Sequence, residues 1–232
     1  MVSTLLVCIL AIAQSNHGDQ ATAKFKRGKV LFGKGDFEEA IKSYHRAIEL
    51  EPNWAEAYVQ RGYARRMNHD LDKALEDYDK ATELDPRTTA KNRVVAQAYT
   101  NRGQILSMQL KLEDAINDFN KAIRFFEEDE RAFYERAQAR LLLEDLAAAI
   151  SDYDVYIVRQ THDDFTRSRA YGERGIAKLL LGREEDAQKD VKQGLELAGA
   201  SGNEFLAHLA FIEARLITVR QLRATKGKGK IG

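Results

Sequence analysis

The feature of this sequence that most restricts its fold is a short segment that recurs along the chain at a nearly constant spacing. Four copies follow the pattern A-(I/L)-x-x-(Y/F) and a fifth is degenerate, and their opening alanines are Ala40, Ala74, Ala115, Ala149 and Ala187. Consecutive alanines are 34, 41, 34 and 38 residues apart. Such a period is typical of helix-turn-helix units that stack on one another, because one pair of helices buries too little apolar surface to be stable alone.

Small residues occur twelve positions before each of these alanines, at Gly28, Gly62, Gly103, Ala137 and Gly175. Two helices approach closely only where the contact carries small side chains, so we expect each small residue to meet the following alanine at a helix crossing. Aromatic residues four positions after the alanine are expected to fill the wider gaps beside these crossings, at Tyr44, Tyr78, Phe119 and Tyr153. The pattern predicts two helices per unit.

These positions, with Pro52 and Pro86 closing the first two units, make the sequence resemble the tetratricopeptide repeat (TPR) family. The resemblance implies an all-α fold, a right-handed superhelical solenoid of five TPR helix-turn-helix repeats plus a C-terminal capping helix. We assign the solenoid to residues 21–201, with repeats at about 21–54, 55–88, 96–129, 130–163 and 168–201.

Two insertions lengthen the spacing, with seven residues around 88–94 and four around 163–166. At 3.6 residues per turn these additions are close to two turns and one turn of helix. We therefore expect each insertion to lengthen a first helix without rotating its buried face.

Charged residues recur in the same register. An arginine precedes each small residue, at Arg27, Arg61, Arg102, Arg136 and Arg174. Aspartates stand sixteen positions after the last four arginines, at Asp77, Asp118, Asp152 and Asp190. A row of arginines could bind an anionic ligand, but the recurring acid favours structural ion pairs between neighbouring helices.

The N-terminal residues 1–13, MVSTLLVCILAIA, are apolar from Leu5 onward and end in A-I-A, which resembles the cleavage site of a secretory signal. No Lys or Arg precedes the apolar run, and a buried N-terminal helix is the alternative. We assign residues 1–20 to a leader and short linker, and expect a periplasmic or secreted protein if the leader is genuine and a cytoplasmic one otherwise. The run is too short to span a bilayer, so no transmembrane span is expected.

Near the C-terminus, apolar residues alternate at spacings of four and three, at Phe205, Leu209, Ile212, Leu216 and Val219. A solenoid needs its last apolar face covered, so we predict a capping helix over residues 202–225 and a basic flexible tail over 226–232. A helix for dimerisation or for binding a membrane surface is the alternative, since Arg215, Arg220 and Arg223 lie near its end.

The sequence contains no pattern typical of a catalytic, metal or cofactor site. The five histidines lack H-E-x-x-H spacing, and the single cysteine, Cys8, lies in the leader. Lys plus Arg equals Asp plus Glu at 36 each, so no net charge selects nucleic acid as a partner. We expect no enzyme activity, no cofactor, no metal and no nucleic-acid ligand.

In TPR proteins the groove lined by the first helices carries the function, and the resemblance implies the same face here. The predicted groove residues are Phe25, Lys29, Gln60, Tyr63, Asn101, Gln104, Arg131, Tyr134 and Gln138. Their amide, aromatic and basic groups suit an extended peptide, whose backbone needs hydrogen bonds and whose side chains need pockets. We predict a non-catalytic scaffold that binds a protein or peptide segment. The alternatives are an accessory subunit of an enzyme or of a secretion or envelope assembly, and tail-dependent binding to nucleic acid or a membrane surface.

The leader gives a first testable prediction. If A-I-A at residues 11–13 is a cleavage site, the mature chain begins at or near Gln14. N-terminal sequencing of the natively expressed protein checks this. A chain that still carries residues 1–13 would instead support the buried N-terminal helix.

Overall fold

The computed structural model describes the backbone of residues 2–84, 93–160 and 163–228, and the side chains of residues 17–84, 93–160 and 163–222. Within these ranges the chain forms α-helices, one short 3-10 turn and no strand. The predicted all-α fold is confirmed. The chain divides into two compact units, Met1–Ile105 and Leu106–Gly232, which we describe separately as unit 1 and unit 2.

Unit 1 contains two complete helix pairs and most of a further helix. Its helices are α1 (Val2–Gly33), α2 (Phe37–Leu50), α3 (Ala55–Met67), α4 (Leu71–Leu84) and the greater part of α5 (Arg93–Met108). Helix α1 packs against α2, α2 against α3, and α3 against α4. Helix α5 joins the stack through Ala98, which packs with Ala81, and through Ile105, which packs with Tyr78.

Unit 2 continues the alternation of first and second helices. Its helices are α6 (Leu112–Phe125), α7 (Glu130–Leu142), α8 (Leu146–Arg159), α9 (Asp164–Leu180), α10 (Glu184–Ala198) and α11 (Gly202–Lys228), with a 3-10 turn at Gly199–Ser201. Successive helices from α6 to α10 pack on one another, and α11 contacts α7, α9 and α10. A single apolar cluster, which includes Phe119, Leu141, Tyr153 and Ile212, forms the core of this unit.

The helix bounds can be compared with the predicted insertions, linker and tail. Helix α9 has 17 residues, whereas α7 has 13, so the insertion around 163–166 is helical from Asp164. Of the insertion around 88–94, residues 88–92 lie outside the described residues. The helices also extend through the predicted linker at 14–20 and through the first three residues of the predicted tail, since α1 is continuous from Val2 and α11 reaches Lys228.

The turn between the two helices of a repeat has the same conformation five times. One residue in each turn has a positive φ: Gly35, His69, Leu110, Glu144 and Gly182, with values between 57° and 80°. Each of these residues stands five positions before the repeat alanine. A positive φ is strained for any residue other than glycine, because the Cβ atom comes too close to the following carbonyl oxygen. His69 is thus an exposed turn residue rather than part of a histidine cluster.

Two of the small residues of the first helices, Gly28 and Gly62, contact the aromatic ring of the second helix in the same repeat. A Cβ atom added to Gly28 would lie 2.6 Å from the ring of Tyr44, and one added to Gly62 would lie 2.8 Å from the ring of Tyr78. In the fifth repeat Val191 stands in place of the ring, and a Cβ added to Gly175 would lie 3.0 Å from its Cγ2 and 3.2 Å from the Ala187 carbonyl oxygen. Glycine and repeat alanine meet at this position, as the sequence predicts. A flat ring can lie on helix backbone only where no side chain intervenes.

Three of the repeats contain the structural Arg–Asp ion pair that the sequence predicts. Asp152 accepts hydrogen bonds from Nε and Nη2 of Arg136, at 2.9 and 2.7 Å, and a further one from Arg140 at 2.7 Å. Asp77 likewise pairs with Arg61 and Arg65. Asp190 pairs with Arg174 and Lys178. The three aspartates are buried. Removal of one partner would leave a buried charge uncompensated.

Each arginine also reaches the second helix of the preceding repeat, a contact that the sequence did not suggest. Arg136 Nη1 donates to Asn120 Oδ1 at 2.6 Å, and Arg174 Nη1 donates to Asp154 Oδ1 at 2.6 Å. Arg61 Nη1 lies 2.9 Å from Nδ1 of His45 at the equivalent position. One guanidinium therefore connects three helices and fixes the stacking of adjacent repeats.

Two glycines of α1 provide a matched test of the ring contact. Gly28→Ala should lower the free energy of unfolding by about 1–3 kcal/mol, because the new methyl group overlaps the buried Tyr44 ring. Gly33→Ala, near the end of the same helix, has nothing within 4 Å of the added Cβ and should be neutral or stabilise by up to about 1 kcal/mol. Urea denaturation of both variants checks this, and equal destabilisation would contradict the contact.

Candidate functional site

The predicted groove residues fall on two separate surfaces. Those on the first helices of unit 1 are Phe25, Lys29, Gln60, Tyr63, Asn101 and Gln104, and we call this surface the unit 1 face. The three on α7 of unit 2 are Arg131, Tyr134 and Gln138. The two surfaces differ in how much of each side chain is available to a ligand.

On the unit 1 face, Phe25 belongs to the core rather than to an open groove. Its side chain is 6% exposed and its ring centroid lies 4.4 Å from that of Trp54 and 5.6 Å from that of Tyr44. Lys29 is exposed, with Nζ 5.8 Å from the centroid of the Phe25 ring. The prediction of Phe25 as a ligand contact is corrected, because the ring fills the gap between the first two repeats.

The other residues of the unit 1 face form a polar and aromatic strip. Gln60 and Tyr63 are half-buried on α3. The ring of Tyr63 lies 5.0 Å from that of Phe32 on α1 and is covered on one side by the guanidinium of Arg66 at 4.9 Å. Asn101 and Gln104 on α5 are 6% and 9% exposed. The accessible groups are thus Lys29, Gln60 and Tyr63.

A buried hydroxyl group lies within this part of unit 1. Tyr44 is fully buried, and among the described residues its hydroxyl has no hydrogen-bond partner. Burial, with a smaller contribution from the charge of Glu56, raises the pKa of Tyr44 to about 12. An unsatisfied buried hydroxyl costs about 1–3 kcal/mol relative to a paired one.

The equivalent tyrosine of unit 2 has a partner. Tyr153 occupies the same position of its repeat, and its hydroxyl donates to Oε2 of Glu173 at 2.6 Å. Glu173 is fully buried on α9, and its other oxygen accepts from the Tyr134 hydroxyl at 2.8 Å and from Nε2 of Gln138 at 2.9 Å. Nε2 of His208 on α11 is hydrogen-bonded to the same oxygen. Four helices of unit 2 therefore meet at one carboxyl group.

The two tyrosines remain proton donors over the physiological range. Burial, and then the nearby charge of Glu173, raises the pKa of both Tyr134 and Tyr153 well above the usual value for tyrosine. A carboxyl group buried without donors would be strongly unfavourable, so these hydroxyls and the Gln138 amide compensate for the burial of Glu173. The cluster thus joins α7, α8, α9 and α11 of unit 2.

Helix α11 packs on α9 and α10 of the last repeat, and it also contacts α7, a first helix farther back in unit 2. Phe205 packs where the absent side chains of Gly172 and Gly194 leave room, since a Cβ on either glycine would lie 2.7–2.8 Å from the ring. Farther along, Arg215 donates to the Ser107 carbonyl at 3.1 Å and Arg220 to Glu144 at 2.8 Å.

The position of α11 changes the interpretation of the α7 residues. Tyr134 and Gln138 are half-buried, and their polar groups are hydrogen-bonded to Glu173, which also bonds His208 of α11. Arg131, one turn closer to the start of α7, remains exposed. The sequence signal that could have revealed this arrangement is the run Gly172-Glu173, which places an acid beside a glycine in the first helix of the fifth repeat.

Neither a metal centre nor a membrane-spanning helix emerges from the residues that the structure describes. In that part of the chain, no three His, Cys, Asp or Glu side chains are grouped so that they could hold a metal ion. No described helix combines the length and the apolar character needed to cross a membrane.

The two tyrosine environments predict opposite responses to the same substitution. Tyr153→Phe should lower the free energy of unfolding by about 1.5–3 kcal/mol, because it removes a donor to the buried carboxyl group of Glu173. Tyr44→Phe should leave stability unchanged or raise it by about 1 kcal/mol, because it removes an unpaired buried hydroxyl. Chemical denaturation of the two variants gives the comparison. Similar losses would show that Tyr44 has a partner of comparable strength.

Comparison with known proteins agrees with the repeat register. A TPR repeat model matches residues 28–68, and two tetratricopeptide repeat models match residues 55–128 and 100–164. Tetratricopeptide repeat protein 36 of Bos taurus is 36% identical over 76 residues, which are 33% of this chain and 40% of that protein. The matched region thus spans less than half of the length of that relative.

Solved structures show the same fold. The crystal structure of MamA is 27% identical, with a TM-score of 0.63, and the match covers 78% of this chain and 93% of that one. PilW, described as a type IV pilus biogenesis factor, has a TM-score of 0.68 at 18% identity, covering 88% and 91% of the two chains. YrrB, described as a TPR protein with an unusual peptide-binding site, has a TM-score of 0.63 at 16% identity, covering 86% and 95%.

The last two likenesses concern the fold alone, whereas the family models identify the repeats themselves. These models match successive and overlapping parts of the chain between residues 28 and 164. The matched region contains the glycine–ring contacts of Gly28 and Gly62 and the ion pairs of Asp77 and Asp152. The protein belongs to the tetratricopeptide repeat family.

Proposed function

We propose that this protein is a non-catalytic scaffold that binds an extended segment of a partner protein on the unit 1 face. TPR solenoids are typical of protein–protein interaction scaffolds. The observation that carries the proposal is a difference in how the polar groups of the two surfaces are used. In unit 2 the Tyr134 hydroxyl and the Gln138 amide are hydrogen-bonded to the buried Glu173. On the unit 1 face Lys29 is exposed, and Gln60 and Tyr63 are half-buried and have no side-chain hydrogen bond among the described residues. A ligand surface needs accessible groups, and unit 1 supplies them.

The chemistry of the unit 1 face suits a peptide backbone. Gln60 can donate to a carbonyl and accept from an amide, and the rigid ring of Tyr63 offers apolar contact with a hydroxyl at its edge. Lys29 adds a positive charge at one side. Aromatic residues are common anchors in the few positions that dominate an interface, which makes Tyr63 the first residue to test.

We also propose that the protein acts outside the cytoplasm, on the strength of the A-I-A segment at residues 11–13. The accessory-subunit interpretation is compatible with the same face, because a scaffold bound to a catalytic partner would co-purify with it. Binding through the basic C-terminal residues is the competing proposal. It requires strong dependence on salt concentration.

The binding prediction uses a partner captured by affinity purification from native extract and identified by mass spectrometry. Tyr63→Ala should weaken the binding of that partner by about 2 kcal/mol, which raises the Kd roughly thirtyfold, because it removes an aromatic anchor. Glu76→Ala, at an exposed position on the second helix α4, is the matched control and should leave the Kd unchanged. Calorimetric titration measures both variants, with circular dichroism as the folding control.

Deletion of residues 226–232 completes the test. The unit 1 proposal predicts little change in the Kd for this deletion. If the deletion abolishes binding while Tyr63→Ala binds normally, an electrostatic contact through the tail replaces the proposed site.

A further inference from the structure

Helix α11 has a second apolar surface, on the side that faces away from unit 2. Its inner side packs Phe205, Ile212, Leu216 and Val219 into the unit. The outward residues between 206 and 217 that carry no charge form a continuous surface, which we call the outer strip: Leu206, Ala207, Ala210, Phe211, Ala214 and Ile217. Leu206, Phe211 and Ile217 are 50%, 57% and 55% exposed.

The outer strip is unusual for a helix on a protein surface. A surface helix normally sets a polar face opposite its buried face, whereas a helix that is apolar all round is covered on both sides. Between residues 206 and 217 the only charged side chain on the outward half of α11 is Glu213, which lies at the edge of the strip beside a cleft of about 420 Å³. Ile176, Leu179 and Val191 line this cleft and continue the apolar surface onto α9 and α10.

The strip has the shape that a second helix requires. Ala207, Ala210 and Ala214 lie along its middle and permit close approach of a helix backbone, while larger side chains flank them. A helix that presents the same alternation of small and large residues would interdigitate with it. The strip is therefore complementary to a copy of itself.

The charges at the two ends of α11 favour a second copy that runs in the opposite direction. Glu204 lies at the N-terminal end and is exposed. Arg220, whose guanidinium pairs with Glu144, lies beyond the C-terminal end of the strip, and the sequence adds two further basic residues there, Arg223 and Lys226. Two copies side by side in the same direction would place like charges together. In opposite directions the acidic end of each meets the basic end of the other, and the two helix dipoles are also antiparallel.

We propose that α11 is a dimerisation helix, and that two copies of this protein associate through their outer strips with the helices antiparallel about a two-fold axis. The arrangement is isologous, so the same patch on each copy is buried and the assembly closes at two. The clefts beside the strips add apolar area to what one helix pair can bury. The proposal concerns a surface of unit 2 and is independent of peptide binding on the unit 1 face.

Sedimentation velocity of the purified full chain over a range of concentrations tests the proposal. The wild-type chain should sediment as a dimer, and Ala210→Glu should raise the dimer Kd by about a hundredfold or more, because it places a charge in the closest part of the contact. Val158→Glu is the matched control: Val158 is 77% exposed on α8, and its substitution should leave the dimer unchanged. Circular dichroism and thermal melts confirm that both variants fold.

Cross-linking tests the direction of the helices. In a Cys8→Ser background, a chain carrying Leu206→Cys should be joined by a short bismaleimide to a chain carrying Gln221→Cys, and only weakly to another chain carrying Leu206→Cys. A parallel pair would give the reverse result and would overturn the charge argument.

Three results would overturn dimerisation itself. The first is a wild-type chain that is monomeric at every concentration, and the second is equal loss of the dimer in Ala210→Glu and Val158→Glu. The third is a monomeric wild-type chain that co-sediments with vesicles of phosphatidylcholine and phosphatidylserine, combined with loss of this co-sedimentation in Ile217→Glu. That result would assign the outer strip to binding a lipid surface.

Discussion

The contact on which the repeats depend is an aromatic ring lying on the bare backbone of a glycine. Tyr44 over Gly28 and Tyr78 over Gly62 bring the second helix of a repeat against the first at a distance that no side chain at the glycine position would allow. In the second repeat the arginine beside the glycine, Arg61, reaches the buried Asp77 of the opposite helix. The equivalent pair of Arg136 and Asp152 forms beside Ala137, so the small alanine side chain also permits it.

Unit 2 adds a second constraint, the burial of Glu173. A carboxyl group removed from water needs donors, and the chain supplies them from α7, α8 and α11. Because an unpaired buried polar group is unfavourable, these hydrogen bonds hold α11 against the rest of unit 2. In unit 2 the first helices α7 and α9 are thus contacted by a later segment of the same chain.

Periodic features of this protein could be predicted from the sequence, and features that occur once could not. The helix pairs and the ion pairs of Asp77, Asp152 and Asp190 follow from residues that recur in register. The path of α11 does not, because the spacing of Phe205, Leu209 and Ile212 shows which side of a helix is buried but not what buries it. Gly172 and Gly194, which admit Phe205, appear once each and carry no repeat signal.

The guanidinium that connects three helices has a consequence for how such a chain can change in length. The last four repeats each carry an arginine and an aspartate at these positions. The second helices of the third and fourth repeats also carry the acceptor for the arginine of the next repeat, since Asn120 accepts from Arg136 and Asp154 from Arg174. A duplicated unit of 34 residues would therefore contain its own arginine and aspartate, together with the acceptor for the arginine of the repeat that follows it. Gene duplication could extend this architecture at an internal junction without creating an unpaired buried ion.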